Sequence, residues 1–582
     1  MALRRGVALV LVLMAAAVVV SFGALALVFL FLRAEPAVPA NAALFLRVGG
    51  EIVESEPVGL GRLFEPPPTL RSIVGLLRKA KTDRRVRGVV VMPAPSTGLW
   101  ATAQELRDAI ADFKTSKKPI VGYLEYGGQQ EYLIASACDK VFLSPSSPLD
   151  LTGVALYELF LRGALDKIGV YPDLLHIGEY KTAANTFTER TYTPAHREMA
   201  RSLVADYFEQ LVRAIAESRR KPEAEVRAIL ERGPMLPEEA VRLGLVDDLA
   251  YEDQIDDKVN FGGTRVRRLE ARDYRRVEVP GLAGRRRPRI AVLYADGLIA
   301  PGRSSYDPAA GRVVGSETLT EYIRRVRADD AIKAVVLRVD SPGGSAIASD
   351  VIWRELMLTR PSKPVVASFG DVAASGGYYI AMPAHVIVAQ PGTLTGSIGV
   401  VAGKFAFGGT LARLGVGLEA TSQGAYAEMG SPVRRYTPAE RAKVEEQMQA
   451  FYDTFVEKAA QSRNRTPEQI DAVAQGRVWT GRQARRLGLV DELGGLERAV
   501  AIAKERARIA PDVEVELVVY PPRRTFYELI RDPFGGFERI GRRALGWPAG
   551  AAWEPLAALW RFRMGEPLAL MPNVFLSAPA LR

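Results

Sequence analysis

The chain of 582 residues contains one cysteine, Cys138, and three histidines, His176, His196 and His385. A lone cysteine forms no internal disulfide, and cysteine-rich zinc or iron–sulfur sites are excluded. Three scattered histidines are too few for a typical histidine metal centre. They also make a Ser-His-Asp triad a poor expectation, although one histidine would suffice for it, so a nucleophile here needs another base. Hydrophobic residues make up 48% and charged residues 25%, which excludes disordered, collagen-like and disulfide-scaffold classes. The length is that of three or four domain-sized units. The net charge of +10 permits anionic partners, but an arginine-rich surface accounts for it, and no nucleic-acid partner is expected.

Charge is missing altogether from Gly6 to Leu32, a run of mostly Ala, Val, Leu and Phe. That exceeds the ~20 residues needed to cross a bilayer. Arg4 and Arg5 precede the run, and basic residues favour the cytoplasmic side. The expectation is a cytoplasmic N-terminus over 1–6, a transmembrane anchor over 7–32 and a body beyond the membrane, periplasmic or extracellular in a bacterium. A cleaved signal peptide is the rival, with Ala-Asn-Ala (40–42) as a possible cleavage site, although its apolar region usually spans only ~7–15 residues.

The body is written twice. VRGVVVMPAPS (86–96) matches IKAVVLRVDSP (332–342), and YLIASACDKVFLSP (132–145) matches YYIAMPAHVIVAQP (378–391), both at an offset of 246. KKPIVGYLEY (117–126) matches SKPVVASFGD (362–371) at 245, and RLGLVDDL (242–249) matches RLGLVDEL (486–493) at 244. Near-constant offsets over such a length mean a tandem duplication. The repeats are expected over 40–280 and 289–520, joined by the basic stretch GLAGRRRP (281–288). An exposed linker is favoured there over a phosphate-binding patch. The tail, 521–582, has no counterpart in the first half. Its tryptophans and arginines leave a membrane surface, an oligomer contact and packing against the body equally open.

Each repeat alternates short apolar runs with helical patterns, which argues for α/β layers with right-handed crossovers. Expected strands are Gly88–Met92, Ile120–Leu124, Ala334–Val339 and Pro364–Phe369. Consecutive apolar positions mark them as buried on both faces. Helices are expected over Ser349–Leu358, Pro194–Arg219 and Pro438–Arg463, the last opened by Thr437 with Glu440 as a capping box.

The chemistry lies where the copies differ. The second copy has Asp-Ser-Pro-Gly-Gly-Ser (340–345) after a strand, where the first has Ala-Pro-Ser-Thr-Gly. Such a turn can bare backbone N–H groups for an oxyanion hole, although on this motif alone a plain turn is the favoured reading. The second copy also has Ala-Ala-Ser-Gly-Gly-Tyr-Tyr (373–379) ahead of a helical segment, which puts Ser375 near a helix N-terminus, as a nucleophile or only a cap. The first copy has Gln129 there. Conversely, Gly-Glu-Tyr-Lys (178–181) of the first copy faces Gly-Ala-Tyr-Ala (424–427) of the second, with Ala427 opposite Lys181. A lone lysine is ordinarily a solvated surface charge, but one copy keeps a serine and the other a lysine, which fits one split active site. Burial can lower a lysine pKa from ~10.4 until it is a base near neutral pH, and Ser–Lys dyads are an established variant of the triad logic. Ser397 in Leu-Thr-Gly-Ser-Ile-Gly-Val (394–400), with Leu151 at the first-copy position, is a hydroxyl that could orient the amine.

DSPGGS, AASGGYY, TGSIGV, GEYK and QGRVWTGRQARRLGLVDELGG (475–495) together resemble the long form of the signal peptide peptidase A (protease IV) family, over about residues 40–520. The resemblance implies Ser375 as nucleophile, Lys181 as general base and Ser397 as the lysine-orienting hydroxyl. It also implies an oxyanion hole from the amides of Gly343 and Gly376, and a fold related to Clp protease and the crotonases. The expected protein is then a homotetrameric endopeptidase of the bacterial inner membrane. Its body would be periplasmic, its substrates released signal peptides and other apolar peptides, and it would use no cofactor or metal. Two other readings are a crotonase-type acyl-coenzyme A enzyme and a non-catalytic membrane scaffold.

Overall fold

The computed structural model describes residues 36–55, 68–259, 266–277, 287–307, 311–522 and 565–572, with isolated positions between 14 and 23. Most of the expected anchor over 7–32 and most of the tail lie outside these residues. Among the described residues, no helix is long and apolar enough to cross a membrane.

In the first repeat the strands used below are β1 (Ala42–Gly50), β2 (Val86–Ser96), β3 (Ile120–Leu124), β4 (Lys140–Leu143), β5 (Tyr171–Ile177), β6 (Asp248–Leu249) and β7 (Arg267–Glu270). All but β5 form one parallel sheet in the order β6-β4-β3-β2-β1-β7. The first helices used below are α1 (Trp100–Lys114) and α2 (Pro194–Arg219).

The second repeat begins with β8 (Arg289–Asp296), β9 (Leu298–Ala300), β10 (Ser305–Asp307) and β11 (Gly311–Gly315). It continues with β12 (Ile332–Ser341), β13 (Gly343–Ser345), α3 (Ala346–Thr359), β14 (Val365–Ala374) and α4 (Gly376–Ala381). Then come β15 (Val386–Ala389), β16 (Leu394–Gly396), β17 (Val400–Ala406), α5 (Pro438–Arg463), β18 (Val478–Thr480), β19 (Glu492–Leu493) and β20 (Glu516–Tyr520). Its main sheet contains the run β19-β15-β14-β12-β8-β20, which repeats the first sheet strand for strand. Val89, Val90 and Val91 in β2, and Val335, Val336 and Leu337 in β12, are all buried. Successive residues point to opposite faces, so these apolar runs fit strands covered on both sides.

The helices over 194–219 and 438–463 have the expected bounds, and Thr437 and Glu440 form the capping box. The strands after residues 86, 332 and 365 run longer than expected, because their polar and glycine-bearing ends continue to pair toward the site. Of the basic linker only Arg287 and Pro288 are described; Arg287 is ion-paired with Glu514.

A third sheet joins the repeats. Its order is β10-β11-β9-β13-β21-β17-β5, where β21 is Leu568–Leu570 of the tail. Strand β5 of the first repeat pairs antiparallel with β17 of the second along seven register positions, Tyr171↔Ala406 to Ile177↔Val400. Buried polar groups add to this seam. Arg338 Nε and Nη2 donate to Glu54, and Nη2 also donates to Glu105 at 2.9 Å. Helix α1 has no side-chain cap of its own. Asp371 of the second repeat caps it instead, accepting from the Leu99 and Thr102 amides at 2.8 Å each and from the Thr102 hydroxyl at 2.7 Å. Unpaired amides at a helix start need such an acceptor.

Candidate active site

The site lies where the main sheet of the second repeat meets the third sheet. Ser375 follows β14 and opens α4, and its φ is +55°. For a residue with a Cβ this left-handed geometry costs of order 1–3 kcal/mol, and the surrounding bonds hold it: the Ser375 amide donates to Gly396 O at 2.8 Å. The Ser375 side chain makes no capping bond to the helix, so its hydroxyl is not simply a cap. Ser397, at φ +52°, is the second strained serine, and its amide donates to Arg477 O at 2.7 Å.

Lys181 arrives from the first repeat, on the loop that follows β5. Its Nζ lies 2.8 Å from Ser375 Oγ, 2.8 Å from the Ser397 carbonyl oxygen and 3.0 Å from Ser397 Oγ. The residue is 0% exposed. That burial alone holds its pKa well below the usual 10.5, because the charged ammonium has lost its hydration. The lysine loop is seated on residues 475 and 476 of the second repeat. Tyr180 N–H donates to Gln475 O at 2.8 Å. A Cβ on Gly476, whose φ is +77°, would stand 2.4 Å from Lys181 Cβ, so only glycine admits the lysine there.

The Gly343 amide donates to Ser341 Oγ at 3.1 Å. Gly376 N lies 2.7 Å from where a Cβ on Gly343 would be, so the two expected oxyanion donors are neighbours. Asp340, also in the 340–345 motif, accepts from Val372 N at 2.9 Å and braces β12 against β14. Burial and the nearby Asp371 push its carboxyl well above the usual range. Ser375, Lys181 and Ser397 thus meet directly, with Gly343 and Gly376 beside them.

Sequence reasoning missed several residues. Ser341 holds the Gly343 amide, Gly476 receives the lysine loop, and Asp371 caps the other repeat. Asp371 and Arg338 do leave a signal, since the first copy has Tyr126 and Met92 at the matching positions. The strand at 568–570 left none.

The profile of "Peptidase family S49" matches residues 112–261 and 358–510, once in each repeat and over more than half of the chain. The chain belongs to peptidase family S49. The chloroplastic serine protease SPPA of Arabidopsis thaliana is 37% identical over 448 residues, covering 76% of this chain and 66% of that protein. Protease 4 of Salmonella typhi is 33% identical over 528 residues, covering 86% and 83% respectively. Protease 4 of Haemophilus influenzae is 29% identical over 469 residues, covering 76% and 74%. The chain is of the long, duplicated form: the family profile matches it in both repeats, and it aligns with these relatives over most of its length. It is a serine peptidase, and the coenzyme A and scaffold readings fall away.

Proposed function

We propose that this S49 peptidase is a membrane-anchored endopeptidase that degrades signal peptides and other apolar peptides, with Ser375 as nucleophile, Lys181 as general base and Ser397 as the hydroxyl that orients the amine. One observation carries the assignment: a fully buried lysine from one repeat stands 2.8 Å from a strained serine of the other. A neutral amine has two hydrogens and one lone pair. Donation to the Ser397 carbonyl and hydroxyl oxygens uses both hydrogens and leaves the lone pair to accept from the Ser375 O–H.

In the reaction, Ser375 Oγ attacks the peptide carbonyl while its proton passes to Lys181 Nζ. The Gly343 and Gly376 amides stabilise the oxyanion, the Gly343 N–H turning from Ser341 Oγ to the substrate. Lys181 then returns the proton to the leaving amine; the neutral lysine next takes a proton from the water that attacks the acyl-enzyme and passes it to Ser375 Oγ as the acid product leaves. No step requires a metal or an organic cofactor.

The uncharged run over 7–32 behind Arg4 and Arg5 supports an inner-membrane anchor with the body in the periplasm. The repeated strand order supports a tandem duplication of one α/β unit. A homotetramer is supported by quasi-equivalence. With the offset of 246, the β5–β17 pair has a second version, 417–423 with 154–160, and neither described segment forms a strand in this chain. Residues 417–423 are exposed throughout. Pairing them with 154–160 of a second copy closes a ring head to tail.

The test is hydrolysis of a fluorogenic apolar peptide by detergent-solubilised full chain, compared with Ser375→Ala and Lys181→Ala and with Lys167→Ala as control. Loss in the first two alone supports the dyad; undiminished activity in either refutes it.

A further inference from the structure

The cleft beside Ser375 is bounded by two strand edges, β13 on one side and β17 on the other, and a strand from the far end of the same chain lies between them. β21 pairs antiparallel with β13 in the register Gly343↔Leu570, Gly344↔Ala569 and Ser345↔Leu568, and its Leu568 also pairs with Val401 of β17. Bonds beyond the strand extend the grip. Met571 N–H donates to Pro342 O at 2.8 Å, Ala346 N–H to Pro567 O at 3.3 Å and Gly565 N–H to Gly403 O at 3.0 Å. Ser345 Oγ donates to Glu566 Oε1 at 2.5 Å.

The side chains fit the cleft as well as the backbone does. Leu568 is buried in a cluster with Ala184, Leu298, Ala300, Val313 and Val401. The small Ala569 is fully buried. Its carbonyl oxygen stands 1.9 Å from where a Cβ on Gly343 would be and 3.2 Å from where one on Gly376 would be. The backbone of the tail therefore runs against the two glycines beside Ser375.

Neighbouring strands lie about 4.8 Å apart, so two edges bonded to one strand stand ~10 Å from each other. With β21 withdrawn, a gap one strand wide remains, and both walls offer backbone donors and acceptors. An extended apolar peptide fills such a gap by strand addition. We propose that β21 is a built-in competitor: the tail occupies the place of the substrate strand, and an apolar peptide reaches Ser375 only by displacing Leu568–Leu570. This rests on the catalytic reading of Ser375 and Lys181. Residues 523–564 tether the competitor, and a tethered segment is presented at an effective concentration of order millimolar. A weakly held strand then suffices to raise the apparent KM.

The test compares the full chain with a full-length Leu568→Asp/Leu570→Asp variant, since the two carboxylates cannot be buried without large cost. KM for a fluorogenic apolar peptide is expected to fall by about tenfold or more with kcat little changed. A synthetic peptide of residues 565–572 is expected to inhibit the variant competitively. An unchanged or higher KM in a variant of unaltered melting temperature, with no inhibition by the peptide, would make β21 a permanent member of the sheet. If the variant does not fold, hydrogen exchange on the Ser375→Ala chain decides. Saturating apolar peptide should deprotect the amides of 568–570, and protection that survives peptide binding overturns the displacement. Hydrolysis that persists in Ser375→Ala would instead overturn the catalytic reading, while exchange still reads the strand.

Discussion

The two repeats share one strand order, yet the same loop has opposite fates in them. Residues 178–181 of the first repeat pass into the seam and end in a fully buried Lys181, whereas 424–427 of the second repeat are exposed and end in Ala427. The serine positions are reversed, with Ser375 and Ser397 in the second repeat and Gln129 and Leu151 in the first. A lysine serves as a base only where burial makes its charge costly. The duplication allows this, because each repeat gives up half a site and the seam between them supplies the dry environment. The seam is also where the copies differ in charge: Arg338 replaces Met92 and binds two carboxylates from the first repeat.

The comparison breaks most sharply at the lysine. Lys181→Ala should lower kcat/KM by about 10²–10⁴ in peptide hydrolysis. Adding Ala427→Lys to that variant should restore nothing, since the exposed loop of the second repeat is not seated beside a serine; rescue would show that burial in the seam is not what matters. Next in size is Arg338→Met, which strands Glu54 and Glu105 as buried carboxylates. Denaturant unfolding should show a loss of about 3–5 kcal/mol, and a neutral result would mean the pair is relaxed into water. Ser397→Ala keeps the dyad but removes one partner of the amine, so kcat should drop by roughly tenfold with KM little altered, less than a general base contributes. Asp371→Ala uncaps α1 across the seam and should cost ~1–2 kcal/mol in melting experiments. The smallest effect is that of Ala427→Lys alone, within about 0.5 kcal/mol of wild type and with activity unchanged.

Much of this was legible before the fold was known. The helix over 438–463 could be bounded because Thr437, Pro438 and Glu440 form a local start signal that needs no tertiary partner. Ser375, Lys181 and Ser397 stood out because duplication turns each copy into a control for the other, and their motifs resemble those of a known family. What stayed hidden depends on the two repeats docking. Asp371 caps a helix some 270 residues earlier in the chain, and no spacing rule reaches that far. The strand Leu568–Leu570 is too short for a periodic pattern, and it forms only because two strand edges meet it. The Gly343 amide was expected to point at substrate, yet it is bonded to Ser341, a local exchange of partners that composition does not encode.

Burial of Lys181 also has a sign in stability. Its folded pKa is depressed, so between that value and the unfolded value near 10.5 the unfolded chain binds more protons, and stability rises with pH. The same depression governs catalysis, and the most direct measurement is the pH profile of kcat/KM for an apolar peptide with the full chain. The base must be neutral, so activity should fall as pH drops through a limb well below 10.5. Lys181→Ala should lose both the activity and the limb. A limb at the ordinary lysine value, or a Lys181→Ala protein with undiminished activity and the same profile, would contradict a site shared between the two repeats.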